Sequence, residues 1–346
     1  LATSIVIFYV CRQLVKPLKA VVSTVSQLSN LEIPQQQPKS LSTSNIIEIS
    51  QVSAAINKLS FAMDSFSRYL PREVVKSVLN SKQSARLGGE MRELVMLFTD
   101  ISNFTTYSES GDATMVLDHL NTYMTALTSR IMETSGTIDK YIGDSVMAFW
   151  GAPYPVDQPA SKSCTAALAV QEETSRLNLE WKQAGIDLQF FTRVGVNIGS
   201  VIVGNVGSEE RFNYTVIGDP VNLASRLEGT NKLYGTGILV SQEIVDAVNN
   251  EDSHHDFCFR LMDRVKVKGK NLSTDIYELV GFRSHFHPLE LEDLATANAI
   301  MATSLDSGLN VALERLLALP TDKPNTRFLL ELRTMLTQRQ AANQTA

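Results

Sequence analysis

Two aspartates carry the strongest chemical signal in this chain of 346 residues. Asp100 ends a continuous apolar run, residues 94–99 (LVMLFT), and Asp144 follows Gly143 between two short apolar segments. Carboxylates at two loop ends are hard oxygen ligands, the kind Mg²⁺ takes. Two such ions can clamp the attacking and leaving oxygens of a phosphoryl displacement. Either aspartate alone is weak evidence, because aspartate is common in turns.

The elements that must position them can be read from pattern. Residues 94–99 leave no helical gap, so they predict a strand buried on both faces. Asp100 then stands at the strand end, where open sheets bind ligands. Residues 137–142 and 145–150 predict a hairpin turning at Gly143-Asp144. Residues 115–132 carry Val116, Leu120, Tyr123, Leu127 and Ile131 on one helical face. Residues 162–182 predict another helix. Residues 190–206 alternate and contain turn formers at 197–200, which predicts a second hairpin. Residues 220–228 predict a helix, with Asp219 as its N-cap and Pro220 in its first turn. Residues 264–270 and 275–280 predict late strands. Strands and helices mix without strict alternation. The expected fold class is therefore α+β, an antiparallel-rich sheet with helices on one face.

Four segments fall in order along this region: residues 98–105 (FTDISNFT), 139–144 (DKYIGD), 211–228 (RFNYTVIGDPVNLASRLE) and 267–270 (VKGK). Together they resemble the signature segments of class III nucleotide cyclases. The resemblance implies a ferredoxin-like cyclase catalytic domain over residues 91–283. It implies that ATP is converted to 3′,5′-cyclic AMP and pyrophosphate. Asp100, Ile101 and Asp144 would hold two Mg²⁺ (or Mn²⁺) per active site. Ile101, Phe104 and Thr105 would lie along the triphosphate, where a turn can offer backbone N–H groups to phosphate oxygens. Asn222 and Arg226, four apart and so on one helical face, would be catalytic. Asn222 would orient the ribose, and Arg226 would meet charge developing on the α-phosphate. Lys268 would be the point charge for the terminal phosphates, with Lys270 as its alternative.

Base choice follows from two further positions. Lys140, four residues before Asp144, falls where the family reads adenine. An ammonium donates to adenine N1 and offers nothing to the N1–H of guanine. Thr215 falls where adenylate cyclases commonly have aspartate. It can still accept from the adenine amino group, but it leaves ATP-over-GTP selectivity less sharply defined. The Lys/Thr pairing resembles a subgroup often stimulated by bicarbonate. A guanylate cyclase is the alternative enzyme, and a catalytically inactive nucleotide-binding domain the alternative class. The metal aspartates lie in the first half of the domain, and Asn222 and Arg226 in the second. The resemblance implies that they meet across a head-to-tail homodimer with two composite sites.

Composition bounds the remainder. Hydrophobic residues make up 44% and charged residues 20%, enough for a core. A net charge of −6 provides no basic field for a nucleic-acid backbone. Cys11, Cys164 and Cys258 lie too far apart in sequence for a zinc motif or a disulfide framework. His254, His255, His285 and His287 match no zinc spacing and read as surface residues. Within residues 1–12, the run 1–11 (LATSIVIFYVC) is apolar and uncharged, and Arg12 and then Lys16 follow it. They are expected to be the cytoplasmic end of a truncated membrane-spanning helix, which places the protein at the cell membrane with its other domains cytoplasmic.

Residues 13–66 read as helix, connector, helix. The first helix carries Leu18, Val21, Val22, Val25 and Leu28. The second carries Ile49, Val52, Ile56, Leu59 and Met63, close to a heptad seam. The connector holds Pro34 and Pro38. Glu48-Ile49 followed by Ile56-Asn57-Lys58-Leu59 resembles the second helix of a HAMP signalling module, with Ser50 where that family has glycine. Residues 67–90 are expected to couple this module to the catalytic domain. An upstream sensor domain, outside the sequence given, is expected to feed this module. Residues 284–346 predict a helical tail built as a hairpin of residues 309–319 and 326–336.

Overall fold

The apolar run around residue 95 needs cover on both faces, and the fold supplies it. The computed structural model describes residues 15–29, 46–66, 69, 71–81, 86–252, 256–266, 273–319 and 327–345. They divide into two units, Leu1–Arg86 and Leu87–Ala346.

The first unit contains α1 (Lys16–Ser29), α2 (Ile47–Phe66) and α3 (Arg72–Ser81), with α1 packed on α2. On α2 the covered line is Ile49, Ser53, Ile56, Ser60 and Met63, spaced by threes and fours. Val52 and Leu59, expected in that seam, are exposed instead, as are Leu18, Val22 and Val25 of α1. The apolar segment 1–12 and the proline connector lie outside the described residues. Among the described residues no helix is long and apolar enough to cross a membrane.

The second unit runs β1 (Gly88–Ile101), α4 (Phe104–Ser110), α5 (Ala113–Glu133), β2 (Thr137–Ile142), β3 (Ser145–Trp150) and α6 (Pro159–Gln183). Then come β4 (Thr192–Gly207), β5 (Phe212–Ile217), α7 (Asp219–Tyr234), β6 (Ile238–Ser241), α8 (Gln242–Asn250), β7 (Phe257–Lys266) and β8 (Ser273–Phe282). Three helices follow: α9 (Pro288–Ser307), α10 (Leu309–Leu317) and α11 (Arg327–Thr345). The sheet order is β2-β3-β1-β4-β6-β8-β7, with β5 also paired to β4. Every pairing is antiparallel except that of β4 with β6.

Helices cover both faces, not the one expected. Val95, Leu97, Val194 and Val196 pack beneath α5, α6 and α8, through Tyr123, Leu127, Val170 and Ile244. The alternate residues Leu94, Met96, Phe98, Val201 and Val203 pack on the opposite side with Val221 and Ala224 of α7. Leu239 and Ile276 join Leu223 and Leu227 on that side too, with Met335 of α11 packed against them. A strand apolar at every position has two faces to bury, so one helical layer cannot suffice.

The hairpin expected at residues 197–200 is absent. β4 runs unbroken and pairs with β1 from Asn205↔Gly88 to Thr192↔Ile101. The turn formers there serve packing instead. Asn197 donates to the Pro220 carbonyl at 2.9 Å and accepts from the Ser241 hydroxyl at 2.6 Å. A Cβ on Gly199 would stand 2.7 Å from the Pro220 ring. The chain reverses after Gly207 instead, where Ser208 and Arg211 exchange backbone hydrogen bonds. In the tail, expected to be helical from residue 284, α9 precedes the pair α10 and α11. His287 is the N-cap of α9, in a capping box with Glu290.

Candidate active site

Asp100 and Arg193 are direct cross-strand partners on β1 and β4. The Arg193 guanidinium bonds the Asp100 carboxylate through Nη2 and Glu228 of α7 through Nε, the latter at 2.8 Å. Asp144 arrives from the β2–β3 turn, where Gly143 takes φ 64°. Its Oδ2 accepts from the Ile101 N–H at 3.0 Å. Buried Thr99 locks this hairpin to β1: its carbonyl accepts from the Ser145 hydroxyl at 2.5 Å, and its Oγ1 accepts from the Val146 N–H at 3.2 Å. Asp100 and Asp144 are thereby pressed together. Burial, then the Asp144 charge, then that of Glu228, push the Asp100 carboxyl up to about 7 against the pull of Arg193.

The segment after Asp100 is tighter than a loop. Ile101 is buried, Ser102 N–H donates to the Phe191 carbonyl at 2.8 Å, and Asn103 takes φ 60°. Phe104 and Thr105 then form the first turn of α4. The Phe104 ring packs edge-on to Phe190 at 6.2 Å, so it serves the core, and Thr105 is exposed.

A second group forms where β5 curls back over the sheet. β5 attaches to β4, three strands from β2, yet the Lys140 ammonium on β2 donates to Thr215 Oγ1 on β5 at 3.2 Å. Tyr214 likewise meets Phe149 of β3, with ring centres 6.4 Å apart. Glycine permits the curl: a Cβ on Gly204 would stand 2.2 Å from the Gly88 carbonyl oxygen. The Thr215 hydroxyl donates to Asp139 Oδ2 at 2.6 Å.

Asn222 and Arg226 share an exposed face of α7. Among the described residues neither makes a side-chain hydrogen bond or ion pair. The N-cap of α7 is Gly218, and Asp219 begins the helix rather than capping it, with the Val221 N–H bonded to the Gly218 carbonyl at 3.1 Å. Glu228 turns inward to Arg193. Two helical positions separate it from Arg226, a rotation of about 200°, so Arg226 points away from the same chain's aspartates. Lys268 and Lys270 lie outside the described residues, as do His254 and His255.

The structure thus forms three groups: Asp100, Ile101 and Asp144; Lys140 and Thr215; and Asn222 with Arg226. Sequence reasoning missed Arg193, Glu228, Thr99 and Asp139. The first two carry no local signal: Arg193 meets Asp100 only through the β1–β4 register, and Glu228 meets Arg193 only through the packing of α7 on the sheet. Asp139 had a signal, a carboxylate beside Lys140, that went unused.

Residues 89–281 match the family model described as the adenylate and guanylate cyclase catalytic domain. The chain is 35% identical over 266 residues to adenylate cyclase 1 of Rhizobium meliloti, covering 77% of this chain and 39% of that enzyme. It therefore spans well under half the length of that relative. Among solved structures, the adenylyl cyclase CyaB from P. aeruginosa superposes with a TM-score of 0.52 at 31% identity, over 58% of this chain and 100% of that one. The guanylyl cyclase Cya2 superposes with a TM-score of 0.50 at 29% identity, over 58% and 98%. The likeness extends to enzymes of both base preferences.

Proposed function

Because the chain belongs to the adenylate and guanylate cyclase catalytic family, we propose that it converts ATP to 3′,5′-cyclic AMP and pyrophosphate at composite sites of a head-to-tail homodimer. The observation that carries the composite site is the opposed orientation of Glu228 and Arg226 on α7. Glu228 holds Arg193 beside the aspartates of its own chain, and Arg226 projects about 200° round the helix from it. An aspartate pair from one protomer facing Asn222 and Arg226 of another brings the two groups together.

Asp100, Asp144 and Ile101 would hold two Mg²⁺ (or Mn²⁺). The residues fit such ions: two hard carboxylates are crowded together, and the Asp100 carboxyl is raised first by burial and then by the Asp144 charge, both of which disfavour a bare anion and are offset by added positive charge. When bound, the cations supply Lewis-acid polarisation of the 3′-hydroxyl and the α-phosphate. Lys140 donates to adenine N1, and the Thr215 oxygen accepts from the 6-amino group. Asn222 orients the ribose. Arg226 stabilises charge developing on the α-phosphate. Lys268 binds the terminal phosphates.

The test is Asp144→Ala beside wild type, assayed for cyclic AMP from MgATP and MnATP and for cyclic GMP from GTP. Near-complete loss in the variant is expected, and retained activity overturns the metal assignment. A preference for GTP would favour the guanylate cyclase, and product from neither nucleotide a regulatory nucleotide-binding domain. The proposal extends to a HAMP-like control module in residues 13–66 and a membrane anchor in residues 1–12. Exposed Leu18, Val22, Val25, Val52 and Leu59 support the first, since an apolar line without cover suits a helical partner. Fractionation of the full-length protein tests the second, and a wholly soluble product would end it.

A further inference from the structure

Asp139 stands immediately before Lys140, and on a regular strand the two would point to opposite faces. The β2–β3 register slips between Ile138 and Lys140, leaving Asp139 as the extra residue of a bulge. Bulges re-aim side chains, and here both neighbours reach Thr215. The Asp139 side chain is fully buried, whereas that of Lys140 is 39% exposed. Asp139 Oδ2 takes the Thr215 hydroxyl proton at 2.6 Å. Its Oδ1 lies 3.2 Å from the Lys140 ammonium, an ion-pair contact that falls short of hydrogen-bond geometry. Burial raises the Asp139 carboxyl above its ordinary range, and the Thr215 hydroxyl and Lys140 ammonium pull it back.

A hydroxyl has one proton and two lone pairs, and an ionised carboxylate only accepts. Thr215 therefore spends its proton on Asp139 and one lone pair on Lys140. What remains for a ligand is an acceptor. A threonine without this neighbour could rotate and donate, so it would tolerate a purine carbonyl as readily as an amine. We propose that Asp139 is a specificity-determining positioning residue: it fixes the Thr215 hydroxyl as an obligate acceptor and so selects 6-amino purines over 6-oxo purines. The inference rests on the proposed function in taking Lys140 and Thr215 as the base-reading pair.

The experiment uses Asp139→Asn, with inosine triphosphate as the 6-oxo probe because it lacks the 2-amino group of GTP. In this variant the Lys140 ammonium favours the amide oxygen on its own side, which turns the amide NH₂ toward Thr215. The hydroxyl then accepts from the amide, and its proton is released toward the ligand. The ATP-to-ITP ratio of kcat/KM is expected to fall about tenfold or more, the scale on which hydrogen-bonding sites reject mismatched groups. Thr215→Val should lower the ratio by itself, and adding Asp139→Asn to it should change the ratio no further. A parallel fall for both nucleotides with the ratio intact, or fully additive effects on the ratio in the double variant, overturns the proposal. Asp139→Val, which frees the hydroxyl by removing the acceptor, predicts the same collapse and serves if the asparagine variant does not fold. Competition of 3′-deoxy-ATP and 3′-deoxy-ITP against a fluorescent nucleotide reads the same ratio without turnover. A wild type that binds but forms no cyclic product would refute the proposed function and leave the binding ratio to decide the role of Asp139.

Discussion

Three carboxylates and one guanidinium meet where β1 ends, and their charges do not balance. Arg193 serves Asp100 and Glu228 at once, while Asp144 rests on the Ile101 N–H. Arg193 is only 16% exposed, so its removal leaves acidic charge poorly solvated. Deleting one partner of a fully buried pair costs about 3–5 kcal/mol, and the residual exposure here reduces that to about 2 kcal/mol. Arg193→Met is expected to lower the unfolding free energy of the metal-free protein by about that amount in urea titrations. Millimolar Mn²⁺ should restore part of the loss, because it supplies positive charge to the same carboxylates. An unchanged denaturation midpoint would show that water already carries those charges.

At the scale of elements, α7 is seated by the absence of a side chain beneath it. A Cβ on Gly195 of β4 would stand 2.2 Å from the Glu228 nitrogen and 2.3 Å from the Ala224 carbonyl oxygen. Both are helix backbone, so the whole element must move. Gly195→Ala is expected to destabilise by about 2 kcal/mol or more and to abolish most cyclase activity, since Asn222 and Arg226 ride on the same helix. Gly229, on α7 itself, has nothing within 4 Å of its added Cβ. Gly229→Ala should therefore raise stability by about 0.5–1 kcal/mol through helix propensity. Thermal melts of the two variants test the pair, and shifts of the same sign would contradict this seating.

At the scale of the whole molecule, the separation of the aspartates from Arg226 makes a prediction about mixtures. Asp144→Ala and Arg226→Ala should each be inactive alone. Co-expressed in equal amounts they should recover about a quarter of wild-type activity, because half the dimers are mixed and each mixed dimer keeps one intact site. No recovery, with mixed dimers demonstrated by dual-tag purification, would place the whole site within one chain. The helical unit upstream is expected to act by changing how protomers meet. Equal specific activity of residues 87–346 and the longer chain, at concentrations where both dimerise, would count against that coupling.

What could be read from the sequence was local. The run at residues 94–99 marked the core of β1, though not its full length from Gly88 to Ile101. The strands Thr137–Ile142 and Ser145–Trp150 fall within their expected bounds, because alternation and a glycine turn are short-range signals. The shared face of Asn222 and Arg226 followed from helical spacing. Tertiary packing decided the rest. It used Asn197 and Gly199 to admit α7 instead of to turn the chain, and it formed β6 from four residues (ILVS), too few to show a period. It set Arg193 against Asp100, 93 residues apart, and Thr215 against Asp139, 76 residues apart. Side-chain chemistry and near-neighbour spacing are written residue by residue. Strand register and sheet curl depend on burying both faces at once, a condition that no single segment carries.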